Sequence, residues 1–407
     1  MKTNLQIISR LLLNLLLYSL SYITPKNEEL ILLGSGKGGS FKGNPKYLYL
    51  YANREREVKN RFQFVWITQN RTILKKLKDE GYPVVDKYSL KGFWTILRSS
   101  NLVIEQSAKD VSYLGVLNGR FNIIQTWHGT LFKKVAFDAK KVDQEKTLLT
   151  RIFDYFLNKE FNNYIFICSA SEETSSKLIP AFRNNNVVIT GYPRNDIFYS
   201  NEISFNDVFK ILSLGSYERV VVYAPTFREI ATCKGPFSDT LLVRLNSFLA
   251  DNNYIMLIKK HPFEKVLVSI TGYSNIKDVS KEVDDVQELL AYTDILITDY
   301  SSVYFDYSLT DKPIIYYPYD YKGYLKNCRE FYYDYYEEQP GPFAHTEEEL
   351  LVLLKDINDW FNDEGYRIKY RNFKNKYNHF QDGNSSERTY QIIIDLLNSR
   401  KSAGKLE

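Results

Sequence analysis

The sequence has few of the residues that form disulfides and structural metal sites. Its 407 residues include three cysteines and four histidines. The cysteines, Cys168, Cys233 and Cys328, lie far apart and form no CxxC pair. This spacing excludes a disulfide framework and a zinc site built on paired cysteines, and it is typical of a protein from a reducing compartment. The net charge of +4 is too small to indicate a general nucleic-acid binder.

Two common phosphate-binding signatures are missing as well. A glycine-rich segment at 34–40 follows an apolar run at 29–34, but it lacks the GxxxxGK[ST] spacing of a P-loop. It also lacks the GxGxxG pattern that is followed, about 20 residues later, by an acidic residue in dinucleotide-binding folds. The segment instead predicts a turn where the backbone can closely approach a ligand or acceptor.

The amino-terminal segment, residues 1–25, is rich in leucine but lacks the uninterrupted apolar length of a spanning helix. Polar side chains recur at every fourth position of its first half, on one helical stripe: Lys2, Gln6, Arg10 and Asn14. Ser19-Leu20-Ser21 is a poor cleavage site for a secretory signal peptide. We therefore predict an amphipathic helix in the inner-leaflet interface. A spanning anchor and a core helix of a soluble protein are the alternatives.

Short apolar runs and helical segments, by contrast, alternate along most of the chain. Runs at 62–68, 101–105 and 121–126 predict strands of a first parallel sheet with helices on both faces. Residues 191–196 interrupt the alternation, which then restarts. We therefore predict an α/β protein with the domain organisation 1–25, 26–195 and 196–382, and with a carboxyl-terminal helix and tail at 383–407.

The stretch at 294–307 predicts a strand, a tight turn and a helix. An apolar run ends at Asp299, and Ser301 and Ser302 follow as candidate N-caps. A helix start carries unpaired N–H groups and a partial positive charge, so it suits a phosphate. Ligands of open α/β sheets also gather beyond the carboxyl ends of strands. An ordinary N-capped crossover helix is the alternative.

Other predicted strand ends carry polar side chains too. The strand at 121–126 runs into His128 and Gly129, where an imidazole near neutral pKa suits a general base and the glycine lets a substrate approach. A structural histidine bonded to a neighbouring backbone group is the alternative. Further strand ends in the second half offer Thr226 and Arg228, and a Lys-His pair at 260–261, as donors to phosphate oxygens.

Six segments together resemble the CDP-glycerol glycerophosphotransferases of teichoic-acid synthesis. They are TWHGT (126–130), GYPRND (191–196), APTFR (224–228), KKHP (259–262), TDYSSVYFDY (298–307) and FQDGNSSER (380–388). The likeness spans nearly the whole chain, and order and spacing match together. It implies a GT-B fold, in which two Rossmann-like domains face each other across the active site, an acceptor-side domain first and a CDP-polyol-binding domain second.

The resemblance also implies a reaction and its residues. A hydroxyl of a lipid-linked acceptor is expected to attack the β-phosphorus of CDP-glycerol, and CMP leaves. His128 is expected to take the hydroxyl proton, and His261 to stabilise the diphosphate charge. The residues expected to bind substrate are Gly129, Thr130, Arg194, Pro225, Thr226, Lys259, Lys260, Ser301, Ser302 and Asp306. We expect no cofactor and no metal-binding residues among these. A metal is not required in principle, because positioning and charge stabilisation supply most of phosphoryl-transfer catalysis, but the sequence leaves metal dependence open.

The expected partners are a CDP-polyol donor, a lipid-linked polyol-phosphate or glycan acceptor and the membrane surface, with no nucleic acid. The expected place is the cytoplasmic face of the cell membrane, as a peripheral protein. The sequence does not decide whether the polyol of the donor is glycerol or ribitol, or whether the enzyme is a primase or a polymerase. It also leaves open whether the product is a teichoic acid or a capsule polymer, and whether the protein is a homo-oligomer. Two other functions remain alternatives: a GT-B glycosyltransferase that uses a nucleotide sugar, and a catalytically silent membrane-docked binding protein.

Overall fold

The computed structural model describes residues 16, 18–54, 61–112, 120–139, 158, 160–200, 208–228, 235–260, 270–327 and 330–403. The chain divides into two compact units. Unit 1 comprises Met1–His128, Lys141–Asp196 and Asp382–Glu407, and unit 2 comprises Gly129–Lys140 and Ile197–Gln381. Each unit contains one sheet with parallel pairing throughout, as the alternation of apolar runs and helical segments predicts.

The sheet of unit 1 has seven strands in the order β3-β2-β1-β4-β5-β6-β7. They are β1 (Asn27–Leu33), β2 (Gln63–Thr68), β3 (Val84–Asp86), β4 (Ser99–Ile104), β5 (Asn122–Gln125), β6 (Tyr164–Ser169) and β7 (Val187–Ile189). The carboxyl-terminal parts of β1 and β4 are short apolar runs, LILL and LVI, because both of their faces are buried. The strand order reverses between β1 and β4, so a topological switch point lies at their carboxyl ends.

Four helices follow these strands: α1 (Gly43–Arg54), α2 (Arg71–Asp79), α3 (Leu90–Arg98) and α4 (Glu172–Phe182). The last three begin at polar side-chain caps. The side chains of Asn70, Ser89 and Ser171 accept hydrogen bonds from first-turn N–H groups of α2, α3 and α4. Each cap fixes where the chain turns from the carboxyl edge of the sheet into the returning helix.

The sheet of unit 2 has five strands in the order β10-β9-β8-β11-β12. They are β8 (Arg219–Ala224), β9 (Tyr254–Ile258), β10 (Ile276–Asp278), β11 (Ile295–Thr298) and β12 (Ile314–Tyr316). Alternate residues of the strands face two apolar cores, one on each side of the sheet. A second switch point lies between β8 and β11, where Ala224 is paired with Thr298.

Nine described helices belong to unit 2. They are α5 (Val208–Leu212), α6 (Asp239–Asp251), α7 (Val286–Leu290), α8 (Val303–Tyr307), α9 (Tyr321–Asn327), α10 (Tyr335–Glu338), α11 (Glu347–Lys355), α12 (Ile357–Asn362) and α13 (Glu364–Tyr377). The chain then returns to unit 1 as α14 (Ser385–Ala403).

Two segments group differently from the predicted domains. Residues 129–140, which the sequence placed in the first domain, are part of unit 2. Helix α14, expected as a separate element, belongs to unit 1, where Tyr390 packs against Tyr51 and Phe64 with ring centroids 5.6 Å apart in each pair. The buried carboxylate of Asp196 accepts hydrogen bonds from the first two N–H groups of this helix, at 2.9 and 2.7 Å. A sequence pattern reveals a helix but not the sheet on which it packs.

Candidate functional site

His128 lies on a tightly held turn at the carboxyl edge of the unit 1 sheet. The preceding Trp127 has φ 57°, in the left-handed region that a bulky residue rarely adopts. Its N–H donates to Gln125 Oε1 at 2.9 Å, and its carbonyl accepts from Asn44 Nδ2 at 2.8 Å. These two buried side chains stabilise the strained backbone, and the turn leaves the imidazole of His128 exposed.

One hydrogen bond determines the tautomer of His128. Its Nδ1 lies 3.1 Å from the backbone carbonyl oxygen of Glu105, at the end of β4. Because a carbonyl oxygen only accepts, Nδ1 carries the hydrogen, and the lone pair of the neutral ring is on Nε2. The structural alternative predicts the same backbone bond. That bond occupies only Nδ1, so it also orients the ring for proton transfer at Nε2.

Arg194 belongs to the same part of unit 1. Its N–H donates to Asn44 Oδ1 at 3.1 Å, and Asn44 is the residue that holds the His128 turn. The side chain of Arg194 is buried, with the guanidinium carbon 5.2 Å from the ring centroid of Tyr192. The structure therefore groups Arg194 with His128, whereas the other expected donor-binding residues lie in unit 2.

In unit 2, the two turns at the switch point are joined by a buried carboxylate. Asp299, directly after β11, accepts from the N–H of Thr226 at 2.8 Å and from that of Tyr300 at 2.6 Å. Its other oxygen is 2.8 Å from the guanidinium of Arg228. Arg228 also binds both oxygens of Asp320, each at 2.9 Å. The turns after β8 and β11 are thus fixed to each other.

This network changes the interpretation of Arg228. Sequence reasoning counted it among the donors to phosphate, but its buried guanidinium is engaged by two carboxylates. Although burial alone lowers the pKa of Arg228, Asp299 and Asp320 together raise it above its ordinary value. Arg228 is therefore charged at all relevant pH values and acts inside unit 2, where it holds the loops that carry Thr226 and Ser301.

Two buried threonine hydroxyls of unit 2 have no hydrogen-bond partner within the described part of the chain, those of Thr130 and Thr226. Thr226 is on the turn after β8. Thr130 precedes Phe132, whose ring packs on Tyr304 and Phe305 of α8 with centroids 6.2 and 6.3 Å apart. The segment that carries Gly129 and Thr130 is thereby anchored beside the helix that follows Ser301 and Ser302.

The predicted strand, turn and helix around 294–307 are present as β11 and α8. A serine, Ser302, occupies the N-cap position of α8 as predicted, but it makes no side-chain capping bond. The backbone of Ser302 has φ −71° and ψ 0°. A capping serine needs an extended backbone to reach the N–H groups of the first turn. The Ser301 hydroxyl accepts only a long bond, 3.5 Å, from Val303 N–H.

The other expected substrate-binding residues are already bonded within unit 2. Asp306 is buried and accepts from Gln287 Nε2 at 3.2 Å. Lys259 Nζ donates to the carbonyl of Ser280 at 3.2 Å. Lys260 Nζ is paired with Asp278 at 2.6 Å.

Pro225 and His261 complete the expected residues of this part of the chain. Pro225 is partly buried on the turn after β8. His261 lies outside the described residues. Among the side chains that the structure describes, no three His, Cys, Asp or Glu residues form a group suited to a metal ion.

Comparisons with known proteins find similarity to one family over most of the chain. The profile of the CDP-glycerol:poly(glycerophosphate) glycerophosphotransferase family matches residues 16–395. The chain is 28% identical to the teichoic acid poly(glycerol phosphate) polymerase of Bacillus spizizenii over 380 residues, which is 91% of this chain and 93% of that protein. It is 30% identical to the teichoic acid glycerol-phosphate transferase of Staphylococcus aureus over 379 residues, 90% and 93% of the two chains.

A solved structure of the wall teichoic acid polymerase TagF superimposes with a TM-score of 0.78 at 26% identity and covers 98% of both chains. Together with the two parallel sheets, this likeness confirms the predicted fold class, α/β of the GT-B type. The profile match covers most of the chain, from just inside the amino-terminal segment into α14. The chain belongs to the CDP-glycerol:poly(glycerophosphate) glycerophosphotransferase family.

Proposed function

We propose that this protein transfers glycerol phosphate from CDP-glycerol to a hydroxyl of a membrane-linked acceptor, with release of CMP, in teichoic-acid synthesis. Membership of the family and the names of its relatives support this reaction. The observation that carries the chemistry is the His128 turn, in which the bond to the Glu105 carbonyl leaves the lone pair on Nε2. A base oriented in this way suits a hydroxyl nucleophile.

The reaction is a single displacement at phosphorus. Nε2 of His128 takes the proton as the acceptor oxygen attacks the β-phosphorus of CDP-glycerol. The bond from that phosphorus to the bridging oxygen breaks, and CMP leaves with the electron pair. Positioning and electrostatic stabilisation supply most of the rate enhancement in such reactions.

Unit 2 contributes donor binding in this proposal. The hydroxyls of Thr130 and Thr226 are buried without a partner among the described residues, so a diphosphate oxygen would satisfy each of them. Ser301 and Ser302 add two hydroxyls that make little or no capping bond. The further contacts expected of unit 2 are from Gly129, Pro225, Asp306 and the two lysines after β9, with charge stabilisation by His261. A contact from Arg194 is expected of unit 1.

A direct test compares donors. The purified protein is incubated with a lipid-linked acceptor and with CDP-glycerol, CDP-ribitol or a UDP-sugar, and release of CMP or UDP is measured with product length. Rapid CMP release from CDP-glycerol supports the proposal. Release of CMP from CDP-ribitol alone would identify a ribitolphosphotransferase, and release of UDP alone a glycosyltransferase. Donor binding without turnover would identify the silent binding protein.

We also propose that the amino-terminal segment docks the enzyme on the cytoplasmic face of the membrane as a peripheral protein. Most of that predicted helix lies outside the described residues, but its end is helical at 18–23. Leu16 and Ile23 are 57% and 77% exposed there, whereas Ser21 and Thr24 are buried against unit 1. An exposed apolar side next to an anchored polar side fits an interfacial helix. No helix in the described part of the chain has the length and apolarity to cross a bilayer.

The membrane proposal is tested by adding charge to the exposed apolar side. Leu16→Glu with Ile23→Glu should release the protein from vesicles and lower transfer to a lipid-linked acceptor, but not to a short soluble analogue. The matched control, Val243→Glu with Val352→Glu, places two charges on exposed apolar positions of unit 2 and should bind vesicles as the wild type does. Equal loss with both acceptors would show that the segment is part of the folded core.

A further inference from the structure

The glycine-rich turn after β1 and the turn after β4 are bonded to each other at the unit 1 switch point. The fully buried carboxylate of Asp110 joins them. One of its oxygens accepts from the N–H of Lys37 at 2.9 Å. The other accepts from the N–H groups of Glu105, Gln106 and Ser107, at 3.2, 2.8 and 3.3 Å. The carboxylate is therefore engaged by four backbone donors and holds the two turns in place.

Lys37 has a strained backbone within this arrangement. Its φ of 60° and ψ of 26° lie in the left-handed region, which costs a non-glycine residue roughly 1–2 kcal/mol. Besides the bond to Asp110, its carbonyl accepts from Lys87 Nζ at 3.2 Å and from Gln69 Nε2 at 3.3 Å. Side chains on three sides thus fix the backbone of a residue whose own side chain is exposed. Such over-determined strain is typical of functional positions.

Two further lysines, Lys87 and Lys109, lie beside the turn that carries Lys37. The buried Lys87 donates from Nζ both to the Lys37 carbonyl and, at 2.6 Å, to the carbonyl of Lys109, whose side chain is exposed. A Cβ at Gly38 would lie 3.1 Å from Cδ of Lys87, so the glycine permits this close packing. Burial lowers the pKa of Lys87 to about 8; Asp110 opposes this shift, and the charge of Lys109 adds to it. The switch point therefore concentrates positive charge.

These lysines are close to the proposed base. Glu105, whose N–H is held by Asp110, provides the carbonyl that binds Nδ1 of His128. Strands β1 and β5 flank β4 on either side. The turns after them are thus two strand spacings apart, about 10 Å. A polyanionic chain with its end at His128 would reach the lysines with a phosphate one or two repeats from that end.

We propose that Lys37 and Lys109 bind a phosphate of the acceptor's polyol-phosphate chain and so direct its terminal hydroxyl to His128. This inference rests on the proposed function, because it assumes an acceptor that already carries phosphodiesters. Ammonium groups form charge-assisted hydrogen bonds with phosphate oxygens, and a fixed backbone reduces the entropy lost on binding. Unit 1 thereby recognises the acceptor by its charge as well as by its hydroxyl.

The first test measures binding without donor. A fluorescent glycerol-phosphate oligomer is titrated with the wild type, Lys37→Asn and Lys109→Gln. Asparagine tolerates the left-handed backbone, so it removes the charge and keeps the turn. We expect each variant to bind the oligomer about 10-fold more weakly, the loss typical of one charge-assisted contact. Lys109→Arg should retain binding.

The matched control is Lys78→Gln. Lys78 is exposed in the last turn of α2, which runs from the carboxyl edge of the sheet to the opposite edge. It should bind the oligomer as the wild type does. The proposal is overturned if the oligomer binds Lys37→Asn and Lys109→Gln as tightly as it binds the wild type. If one of the two variants folds poorly, the other decides the test. An equal loss in Lys78→Gln also overturns it, because the effect would then be that of net charge.

Kinetics distinguish the sources of the phosphate. The two variants should raise the KM for the oligomer about 10-fold, with the KM for CDP-glycerol and the rate on a phosphate-free acceptor unchanged. A rise in the KM for CDP-glycerol instead would assign the lysines to the donor. Weaker binding to anionic vesicles with unchanged oligomer binding would assign them to lipid headgroups. Lysine-dependent oligomer binding by a protein that releases no CMP would keep this inference and overturn the proposed function.

Discussion

The two units have the same kind of sheet and the same kind of switch point, but they differ in where they place charge. At the unit 1 switch point the ionisable side chains of Lys37, Lys109 and His128 are exposed. At the unit 2 switch point the charges of Arg228 and Asp299 are buried and paired with each other. One topology thus presents ionisable groups in one unit and neutral hydroxyls in the other. Buried charges hold the turns in both units, Asp110 and Lys87 in unit 1 and Arg228 and Asp299 in unit 2.

The difference follows from what each side is proposed to bind. A proton acceptor and a charge-recognising lysine must reach the substrate, so their side chains stay accessible. A buried ion pair, by contrast, loses hydration that its attraction only partly returns, so it is weak evidence for stability. In unit 2 it has a positional effect, because Asp299 holds the N–H groups of the turns after β8 and β11. The predictions below separate these roles, from the largest expected effect to the smallest.

The largest effect is expected at the base. His128→Ala should lower kcat about 10²–10⁴-fold, the usual loss on removal of a general base, with the affinity for CDP-glycerol unchanged. Turnover and equilibrium donor binding are measured on the same preparation. His345→Ala removes another exposed histidine, in unit 2, and should behave as the wild type. Near-full activity of His128→Ala would show that His128 has only the structural role of bonding to the Glu105 carbonyl.

The next effect is expected from the buried network of unit 2. Arg228→Met leaves two buried carboxylates without their cation and should lower the free energy of unfolding by about 3–5 kcal/mol. It should also weaken binding of CDP-glycerol, because the turns lose their connection. Urea unfolding followed by circular dichroism measures the first effect. Arg244→Met, which removes an exposed pair with Glu348, should stay close to the wild type. A similar small change in Arg228→Met would refute the positional role.

A buried carboxylate of unit 1 should make the stability of the protein depend on pH. Burial raises the pKa of Glu160 from 4.5 to about 7. Folding therefore favours the protonated form, so the contribution of this group is fully present below pH 4.5 and is lost as the pH rises through 7. Glu160→Gln removes this loss and should gain about 3 kcal/mol relative to the wild type between pH 4.5 and pH 7.

Urea unfolding of both proteins across that range tests the prediction. The exposed Glu28→Gln variant of β1 is the control and should follow the wild type at each pH. A constant difference between Glu160→Gln and the wild type would contradict the raised pKa of Glu160.

A smaller effect, on donor affinity alone, is expected from the hydroxyls near α8. Ser301→Ala with Ser302→Ala should weaken binding of CDP-glycerol about 10–100-fold, as expected for two hydrogen bonds to a charged group. Because neither hydroxyl makes a normal capping bond, the free energy of unfolding should hardly change. Calorimetric titration with CDP-glycerol gives the affinity. Unchanged donor affinity would place the phosphates elsewhere in unit 2.

The sequence reveals local features of this fold well and long-range groupings poorly. The run at 62–68 predicts β2 (Gln63–Thr68) to within one residue, because it is a local pattern. The bond between Asp299 and Arg228 and the packing of Phe132 on α8 join residues far apart in the chain. No periodicity encodes such contacts.

The candidate site shows the same limit. The motif at 126–130 points to His128, but its division between the units appears only in the structure: the histidine is in unit 1 and Thr130 in unit 2. Lys37 belongs to the glycine-rich segment at 34–40, for which the sequence predicts only a close backbone approach to a ligand or acceptor. The strained backbone of Lys37 and its bonds to Asp110 and Lys87 can be predicted only once the strand order is known, because they depend on β1 lying next to β4.

The most direct test of this division of labour compares Thr226→Val with His128→Ala for binding of CDP-glycerol. Valine keeps the shape of threonine and removes only the buried hydroxyl that has no partner among the described residues. The account predicts that Thr226→Val weakens the donor Kd about 10-fold, whereas His128→Ala leaves it unchanged and loses turnover. A donor Kd that rises equally in both variants, or only in His128→Ala, would contradict it.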